Sequence, residues 1–356
     1  MKQIKTILIG VGILLVVVLG AVGYQVFSDK NVPVKTISGF VGGEKISFLE
    51  NPEVKAILEK DYGIQVDVNK AGSLDMIRAD LSNKDFLFPS SQTALELYIK
   101  TIGPAYKDEI ILNTPIVLYS HQVVADALVN NGLATKENGI YQVDMAKLVK
   151  MMEENKTWAD VGLSQLYGPI VVDTTDPAKS NSGNMFAGLV ASMLNGGQVV
   201  TDAQLPQILP RLTGIFDKLG YMETSSSDLF SQFLKTGLGA KPIVAGYENQ
   251  LLEFSHEQTE AWSQVKDDIV MMYPVPTEWT AHIFISLNDE GVELMQALED
   301  ERLQQIAWEQ HGFRTGVNGT ITQGKVFDVP GVQESVTQVI QMPGSSVMDA
   351  IIKAFE

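Results

Sequence analysis

Three loops in this sequence combine glycine with small hydroxyl or amide side chains, residue types that bind polar groups without covalent chemistry. They are residues 39–45, 72–74 and 176–184. Each loop follows an apolar, strand-like segment and precedes a helix-like one, so backbone N–H groups at the start of a helix can point at a ligand beside it. This arrangement predicts a binding cleft for a small polar solute.

The candidate ligand-binding residues lie in or beside these loops and in two further segments. They are Ser38, Gly39, Gly42, Gly43, Ser73, Ser90, Ser91, Ser180, Asn181, Ser182, Tyr247 and Asn249. The richest segment is residues 180–183, where three polar side chains and a glycine precede a helix predicted from Met185 to Leu194. Donors would cluster at the start of that helix. Tyr247 and Asn249 follow a strand-like segment and are expected to reach the cleft from a second lobe.

Most of these residues also have a local explanation, which stays open at the level of sequence. Ser73, Ser90 and Ser91 precede predicted helices and fit helix N-caps, a common role of serine. Gly42 and Gly43 fit a tight turn that needs glycine for its geometry alone. The ligand-binding interpretation therefore depends on the convergence of several segments.

Catalytic motifs are absent from the sequence. The chain has no cysteine, which excludes thiol catalysis, disulfides and zinc–thiolate sites. Its four histidines are scattered without an HExxH pattern, and no GxSxG segment is present. Residues 319–325 resemble a phosphate-binding loop, but Val326 replaces the required Ser or Thr, so a hairpin-like loop is predicted there. We expect no enzyme, no catalytic residue, no cofactor and no metal site. A catalytic set assembled from distant residues is the remaining enzymatic alternative.

Composition and charge describe a globular chain with an acidic surface. Its 356 residues are 45% hydrophobic, enough for two domains or lobes with ample cores. The net charge is −17, and without the two lysines of residues 1–27 it is −19. Nucleic acid and anionic membrane surfaces are therefore not expected as partners.

The N-terminus predicts a membrane anchor. Residues 6–27 carry no charge, and at about 1.5 Å per residue they are long enough to cross a bilayer as a helix. The positive charges of Lys2 and Lys5 predict a cytoplasmic N-terminus. The anchor would comprise residues 1–27 and a linker residues 28–32, and the rest of the chain would lie outside the cell. The alternative is a cleaved signal peptide, for which residues 21–23 supply small side chains, and a secreted protein.

The elements that must position the loops alternate between strand and helix. A strand-like segment at 34–37 is followed by a helical one at 52–61. A second strand-like segment at 64–68 is followed by a helical one at 74–82. This βαβα order predicts an α/β fold with mostly parallel sheets and helices on both faces. A further strand is expected at 85–92, before a helix from Thr93. Ligands of such sheets lie beyond the carboxyl ends of the strands.

Two longer apolar stretches are interrupted by proline. They lie at residues 108–120, and at 269–279 leading into 283–287. We interpret them as hinge strands that cross between two lobes. Ordinary strands with a proline at an edge or bulge are the alternative.

An ordered set of short segments in this chain resembles the type II periplasmic-binding-protein superfamily. The segments are 42–45 with Phe48 and Pro52, 71–73, 88–91, 176–183, 303–307 and 312–314. Within the superfamily the chain is similar to membrane-anchored bacterial substrate-binding-like proteins, and distantly to the molybdate, sulfate and phosphate receptors of ABC importers. The resemblance covers nearly the whole chain after the predicted anchor.

The resemblance implies two α/β lobes joined by two hinge crossings, with a solute closed between them. Lobe I would comprise residues 33–113 and 281–356, and lobe II residues 114–280. Two features depart from the family pattern: no cysteine is available for lipid attachment, and Gly43 follows Gly42 where such receptors often have serine. The ligand class stays open between oxyanions, sugars and amino acids.

The function expected from these observations is that of a membrane-anchored extracellular solute-binding protein with an ABC permease as its partner. The alternative is a protein of the same fold without a role in transport. It would be a ligand-sensing or scaffold subunit of a cell-surface membrane complex, with other membrane proteins as partners.

Overall fold

The computed structural model describes residues 33–316 and 326–356. The predicted anchor at 1–27, the linker at 28–32 and the predicted loop at 319–325 lie outside these residues. Among the helices of the described residues, none is both long enough and apolar enough to cross a membrane.

The described residues form ten strands. They are β1 Lys35–Val41, β2 Ile64–Lys70, β3 Phe86–Phe88, β4 Lys107–His121, β5 Ala134–Glu137, β6 Ile140–Asp144, β7 Ile243–Tyr247, β8 Ile269–Val275, β9 Trp279–Ser286 and β10 Arg314–Thr315. The main hydrogen-bonded order is β2-β1-β3-β9-β4-β8-β6-β5, and both β7 and β10 pair with β4.

One long strand is shared by two sheets. Residues 107–115 of β4 pair with β9 in the first sheet, whereas its later residues pair with β7 and β8 in the second. Pro115 lies where the partners change, so its missing N–H falls between the two ladders. The stretch predicted as an interrupted hinge strand is therefore one continuous strand.

The sheets are mixed, and the prediction of mostly parallel sheets was wrong. β1 pairs in parallel with β2 and β3, as the βαβα pattern predicted. The β6–β8 pair is also parallel. The pairs that β4 and β9 make are antiparallel. The reason is that β4 runs through both sheets and pairs with strands distant in sequence, which a local alternation of strand and helix does not reveal.

Helices cover the sheets. They are α1 Ile46–Glu50, α2 Pro52–Ile57, α3 Asp75–Arg78, α4 Gln92–Thr101, α5 Gln122–Asn130, α6 Met145–Glu153, α7 Asn181–Leu194, α8 Leu205–Phe216, α9 Ser226–Thr236, α10 Glu248–Glu257, α11 Thr259–Val265, α12 Asp289–Leu298, α13 Glu301–Glu309 and α14 Ser345–Lys353.

Two of the predicted helices have different bounds in the structure. The helix predicted at 74–82 is only α3, because the backbone of Ala79 is already extended. The helix predicted from Met185 begins at Asn181, with Ser180 as its N-cap. Residues 181–183 therefore belong to the first turn of α7 and not to a loop before it.

Separate apolar cores lie in the two halves of the molecule. Phe86, Phe88 and Phe284 pack together in the first sheet. The second sheet has a larger core that includes most of α7. The C-terminal helix α14 contributes Val347 to the second core. The predicted lobe boundaries stay a prediction.

Candidate ligand-binding cleft

A cleft of about 630 Å³ lies between the two sheets. It is lined by Gly42, Gly43, Glu44, Lys70, Ala71, Gly72, Ser73, Asp75, Ser90, Lys179, Ser180, Asn181, Thr224, Ser225, Ser226 and Tyr247. The residues from the first half directly follow the carboxyl ends of β1, β2 and β3, where ligands of α/β sheets bind. Those from the second half begin α7 and α9 or end β7.

The structure brings seven of the twelve predicted residues together in this cleft. They are Gly42, Gly43, Ser73, Ser90, Ser180, Asn181 and Tyr247. Those after β1, β2 and β3 meet because these parallel strands end at the same sheet edge, and Ser180, Asn181 and Tyr247 face them from the other half. Contact with a solute stays a prediction for each of them.

Two predicted residues of β1 do not line the cleft. Ser38 and Gly39 lie inside β1, because the strand extends to Val41. The hydroxyl of Ser38 donates to Asp67, at 2.9 Å. A Cβ at Gly39 would lie 2.5 Å from the carbonyl oxygen of Phe86. Gly39 therefore serves the close packing of β1 against β3.

Ser91, Ser182 and Asn249 do not line the cleft either. Ser91 caps α4 by accepting the N–H of Ala94, the local role that the sequence left open. Ser182 is buried with its hydroxyl 2.8 Å from that of Thr175. Asn249 is fully buried in α10. The burial of Ser182 follows from the earlier start of α7.

Sequence reasoning missed one of the loops that form the cleft. Thr224 and Ser225 directly precede α9, Ser226 is its first residue, and all three line the cleft. The signal was a run of small hydroxyl side chains directly before an amphipathic helix, the same pattern that identified residues 180–183.

Two helix N-termini open on the cleft without a side-chain cap. Ser180 precedes α7 and Ser225 precedes α9, and neither serine hydroxyl accepts a backbone N–H of its helix. The first N–H groups of a helix need a partner, and the positive end of the helix dipole favours a negative or strongly polar one. Both helix starts can therefore donate to a ligand in the cleft.

A buried ion pair lies at the inner wall of the cleft. Lys45 is fully buried and contacts Glu44, and it donates to Ser90 at 2.7 Å and to Nδ1 of His282 at 3.1 Å. Three acceptors thus use the three N–H bonds of the ammonium group. Since Nδ1 of His282 accepts, its proton lies on Nε2.

Burial and neighbouring charges set the protonation of this group. Burial lowers the pKa of Lys45, and Glu44 partly offsets the effect. Burial alone would raise the pKa of Glu44, but Lys45 and His282 hold it well below its usual range. Burial and the Lys45 charge lower the pKa of His282 to about 4. At neutral pH the group is therefore an ion pair beside a neutral imidazole.

A hydrogen bond joins the two halves across the cleft. The side-chain amide of Asn181 donates to the carbonyl oxygen of Ser90 at 2.7 Å and to the hydroxyl of Tyr247 at 3.0 Å. Burial, with a contribution from Glu44, raises the pKa of Tyr247, so its hydroxyl stays protonated. Asn181 thus links α7 and β7 to the loop after β3.

The charged residues that line the cleft balance one another. Lys70 and Lys179 are opposed by Glu44 and Asp75. Lys179 is also 3.2 Å from Asp176, and the Glu44 carboxylate is held by Lys45. The cleft therefore offers hydrogen-bond donors more than net charge.

Solved structures match nearly the whole chain, although neither a protein-family model nor a curated protein matches it. A periplasmic thiamin-binding protein has a TM-score of 0.59 at 13% identity, with 91% of this chain and 96% of that chain covered. The substrate-binding protein of an ABC transporter from Agrobacterium tumefaciens has a TM-score of 0.57 at 13% identity, with 92% of this chain and 94% of that chain covered. A sulfate-binding protein from Mycobacterium tuberculosis has a TM-score of 0.52 at 14% identity, with 83% of this chain and 93% of that chain covered.

The chain has the type II periplasmic-binding-protein fold. At these identities the likeness establishes the fold alone. The periplasmic-binding-protein fold accounts for how the cleft is built: two sheets share β4, and the loops at the strand ends of both halves face each other.

Proposed function

We propose that this protein is a solute-binding protein that holds a small polar solute between its two halves. The cleft of about 630 Å³ carries the proposal, because two uncapped helix N-termini from one half face the strand-end loops of the other. The matched structures include binding proteins for thiamin and sulfate, which supports the same kind of role for the cleft in this chain.

The solute should present at least one acceptor group, such as a carboxylate or another oxyanion, to the starts of α7 and α9. Free N–H groups at a helix start bind anions and strong acceptors. Because the lining lysines are matched by Glu44 and Asp75, a dipolar or neutral polar solute fits the cleft better than a highly charged anion.

Membrane anchoring through residues 1–27 and delivery to an ABC permease complete the proposal. An uncharged stretch at 6–27 supports the anchor. One matched structure is the substrate-binding protein of an ABC transporter, which supports this kind of partner.

Native mass spectrometry of the full-length chain, purified in mild detergent without refolding, tests solute binding. We expect a small mass that is present in the native sample and lost on denaturation. If no adduct is found, and oxyanions, sugars and amino acids cause no shift in melting temperature, the proposal fails. The alternative of a scaffold subunit would then be favoured.

Substitutions at the helix N-caps locate the solute. Ser180→Asp and Ser225→Asp each add a carboxylate that caps its own helix and occupies the N–H groups facing the cleft, so both should remove the adduct without loss of stability. Gly344→Asp is the matched control, since Gly344 is the N-cap of α14 and does not line the cleft. An adduct retained in both serine variants would overturn the site.

A further inference from the structure

Three side chains that can bind a metal ion converge outside the cleft. Ligand atoms of Glu253, Glu257 and His311 all lie within 4.8 Å of one another. The two glutamates are four residues apart on α10 and share one face of the helix. His311 follows α13 and is 58 residues from Glu253 in sequence, so no ligand spacing could reveal the group. None of the three lines the cleft.

The group has more negative charge than its surroundings balance. In the described part of the chain, a carboxylate oxygen of Glu253 lies 2.6 Å from Nδ1 of His311, and neither Glu253 nor Glu257 has an ion-pair contact with a lysine or arginine. The carboxylates of Glu253 and Glu257 lie within 4.8 Å of each other, so their like charges repel. Glu257 is also the last residue of α10, where the helix dipole is negative. A bound cation would relieve all of these repulsions.

We propose that Glu253, Glu257 and His311 form a binding site for a divalent transition-metal ion, with Zn²⁺ as the ion of choice. Two carboxylate oxygens and one imidazole nitrogen are ligands that Zn²⁺ accepts, and an imidazole ligand favours it over Mg²⁺ or Ca²⁺. Three protein ligands leave a fourth position for water. Glu257 is exposed, so an ion can enter from solvent.

Metal binding requires one proton to move on His311. The side-chain amide of Asn51 donates to Nε2 at 3.0 Å, so the proton of the free imidazole lies on Nδ1 and is donated to Glu253. An ion bound at Nδ1 shifts this proton to Nε2. The Asn51 side chain must then turn its oxygen toward Nε2.

The site bridges the two halves of the molecule. α10 follows β7 of the second sheet, whereas the His311 ring packs against Phe48 of the first core, with 5.7 Å between ring centroids. Gly312, next to His311, has φ +69°, and a Cβ there would lie 2.6 Å from the Leu252 side chain. This glycine allows the chain of one half to approach α10 of the other. A metal ion at the site would therefore stabilise contact between the halves.

Isothermal titration calorimetry with ZnCl₂ tests the site in the full-length, chelator-treated chain in mild detergent. We expect one Zn²⁺ per chain. Glu257→Gln should weaken binding at least about tenfold, because it removes a charged ligand without disturbing a buried contact. Glu290→Gln is the matched control, an exposed helical carboxylate elsewhere in the chain, and should leave the affinity unchanged.

A gain of affinity provides a second criterion. Asn51→Asp supplies a carboxylate acceptor for the proton on Nε2 and should tighten Zn²⁺ binding. Absence of saturable Zn²⁺ binding, equal affinity in the Glu257→Gln variant, or displacement of Zn²⁺ by a hundredfold excess of Mg²⁺ would each overturn the proposal. The solute adduct of the cleft is measured independently, so either site can fail alone.

Discussion

At the scale of single residues, the buried cluster of Lys45, Glu44 and His282 is the part of the cleft wall where burial of charge costs the most free energy. A buried ion pair is costly unless each partner is fully hydrogen-bonded. Lys45 meets this condition through its three acceptors, but Nε2 of His282 has no hydrogen-bond partner among the described residues. The imidazole is therefore held as a neutral acceptor for the lysine.

This cluster predicts a loss of stability in mild acid. The pKa of His282 is about 4 in the folded chain and 6.5 in the unfolded one, so protonation favours unfolding. The stabilisation from the neutral imidazole is complete above pH 6.5 and should fall by about 3 kcal/mol as the pH decreases toward 4. Urea unfolding at several pH values measures the effect.

His282→Asn isolates the contribution of this imidazole. The Asn oxygen can accept from Lys45 in place of Nδ1, yet it does not titrate. The pH dependence between 6.5 and 4 should therefore decrease in this variant, whereas the exposed His256→Asn variant should behave like the parent. Equal pH profiles for the parent and His282→Asn would contradict the argument.

At the scale of elements, α7 is the helix that connects the cleft to the second core. Its first turn reaches Ser90 through Asn181, and its later residues are buried throughout the core. The position of that turn is set by Gly183, where a Cβ would lie 2.1 Å from the carbonyl oxygen of Thr175. The close approach is only possible for glycine.

Gly183→Ala should displace the first turn of α7. The clash with backbone is expected to cost about 1–3 kcal/mol of the free energy of unfolding and to weaken solute binding. Gly214→Ala is the control: Gly214 lies within α8 and nothing is within 4 Å of a Cβ there. The control should gain about 0.5–1 kcal/mol. Thermal unfolding of both variants measures these changes. If both variants lose the same stability, or neither loses any, the close contact between Gly183 and Thr175 does not constrain α7.

The sequence predicted the elements better than their pairing. The alternation of strands and helices at 34–82 predicted the parallel β1–β2 pair, and the predicted site residues include seven of the sixteen that line the cleft. The mixed order of β4, β8 and β9 depends on contacts between distant segments, which no local pattern carries. The start of α7 was misplaced for a different reason: Ser180 is an N-cap by backbone position without using its side chain.

At the scale of the whole molecule, the two halves are linked by Asn181 across the cleft and by the packing of α10 against Gly312. A solute that contacts both halves binds the closed arrangement better and shifts the population toward it. The Asn181 side chain should bias the same equilibrium before any solute binds.

Spin-label distance measurements test this bias, since a chain without cysteine accepts two labels at chosen positions. Lys60→Cys and Lys235→Cys place labels on exposed positions of the two halves. Adding Asn181→Ala should broaden the distance distribution toward longer values. A label pair within one half, Lys60→Cys with Glu290→Cys, should be insensitive. Identical inter-half distributions with and without Asn181→Ala would refute the role of the bond.

The strand shared by both sheets has a mechanical consequence. β4 keeps its strand pairing on either side of Pro115, apart from a register shift between Ile110 and Leu112, so bending at Pro115 need not break a ladder. Rotation of one sheet relative to the other is then an elastic twist distributed along 15 residues and not the flexing of a loose linker. A hydrogen-bonded strand resists twisting more than a loose linker does, so we expect the two sheets to return to one relative orientation after a solute dissociates.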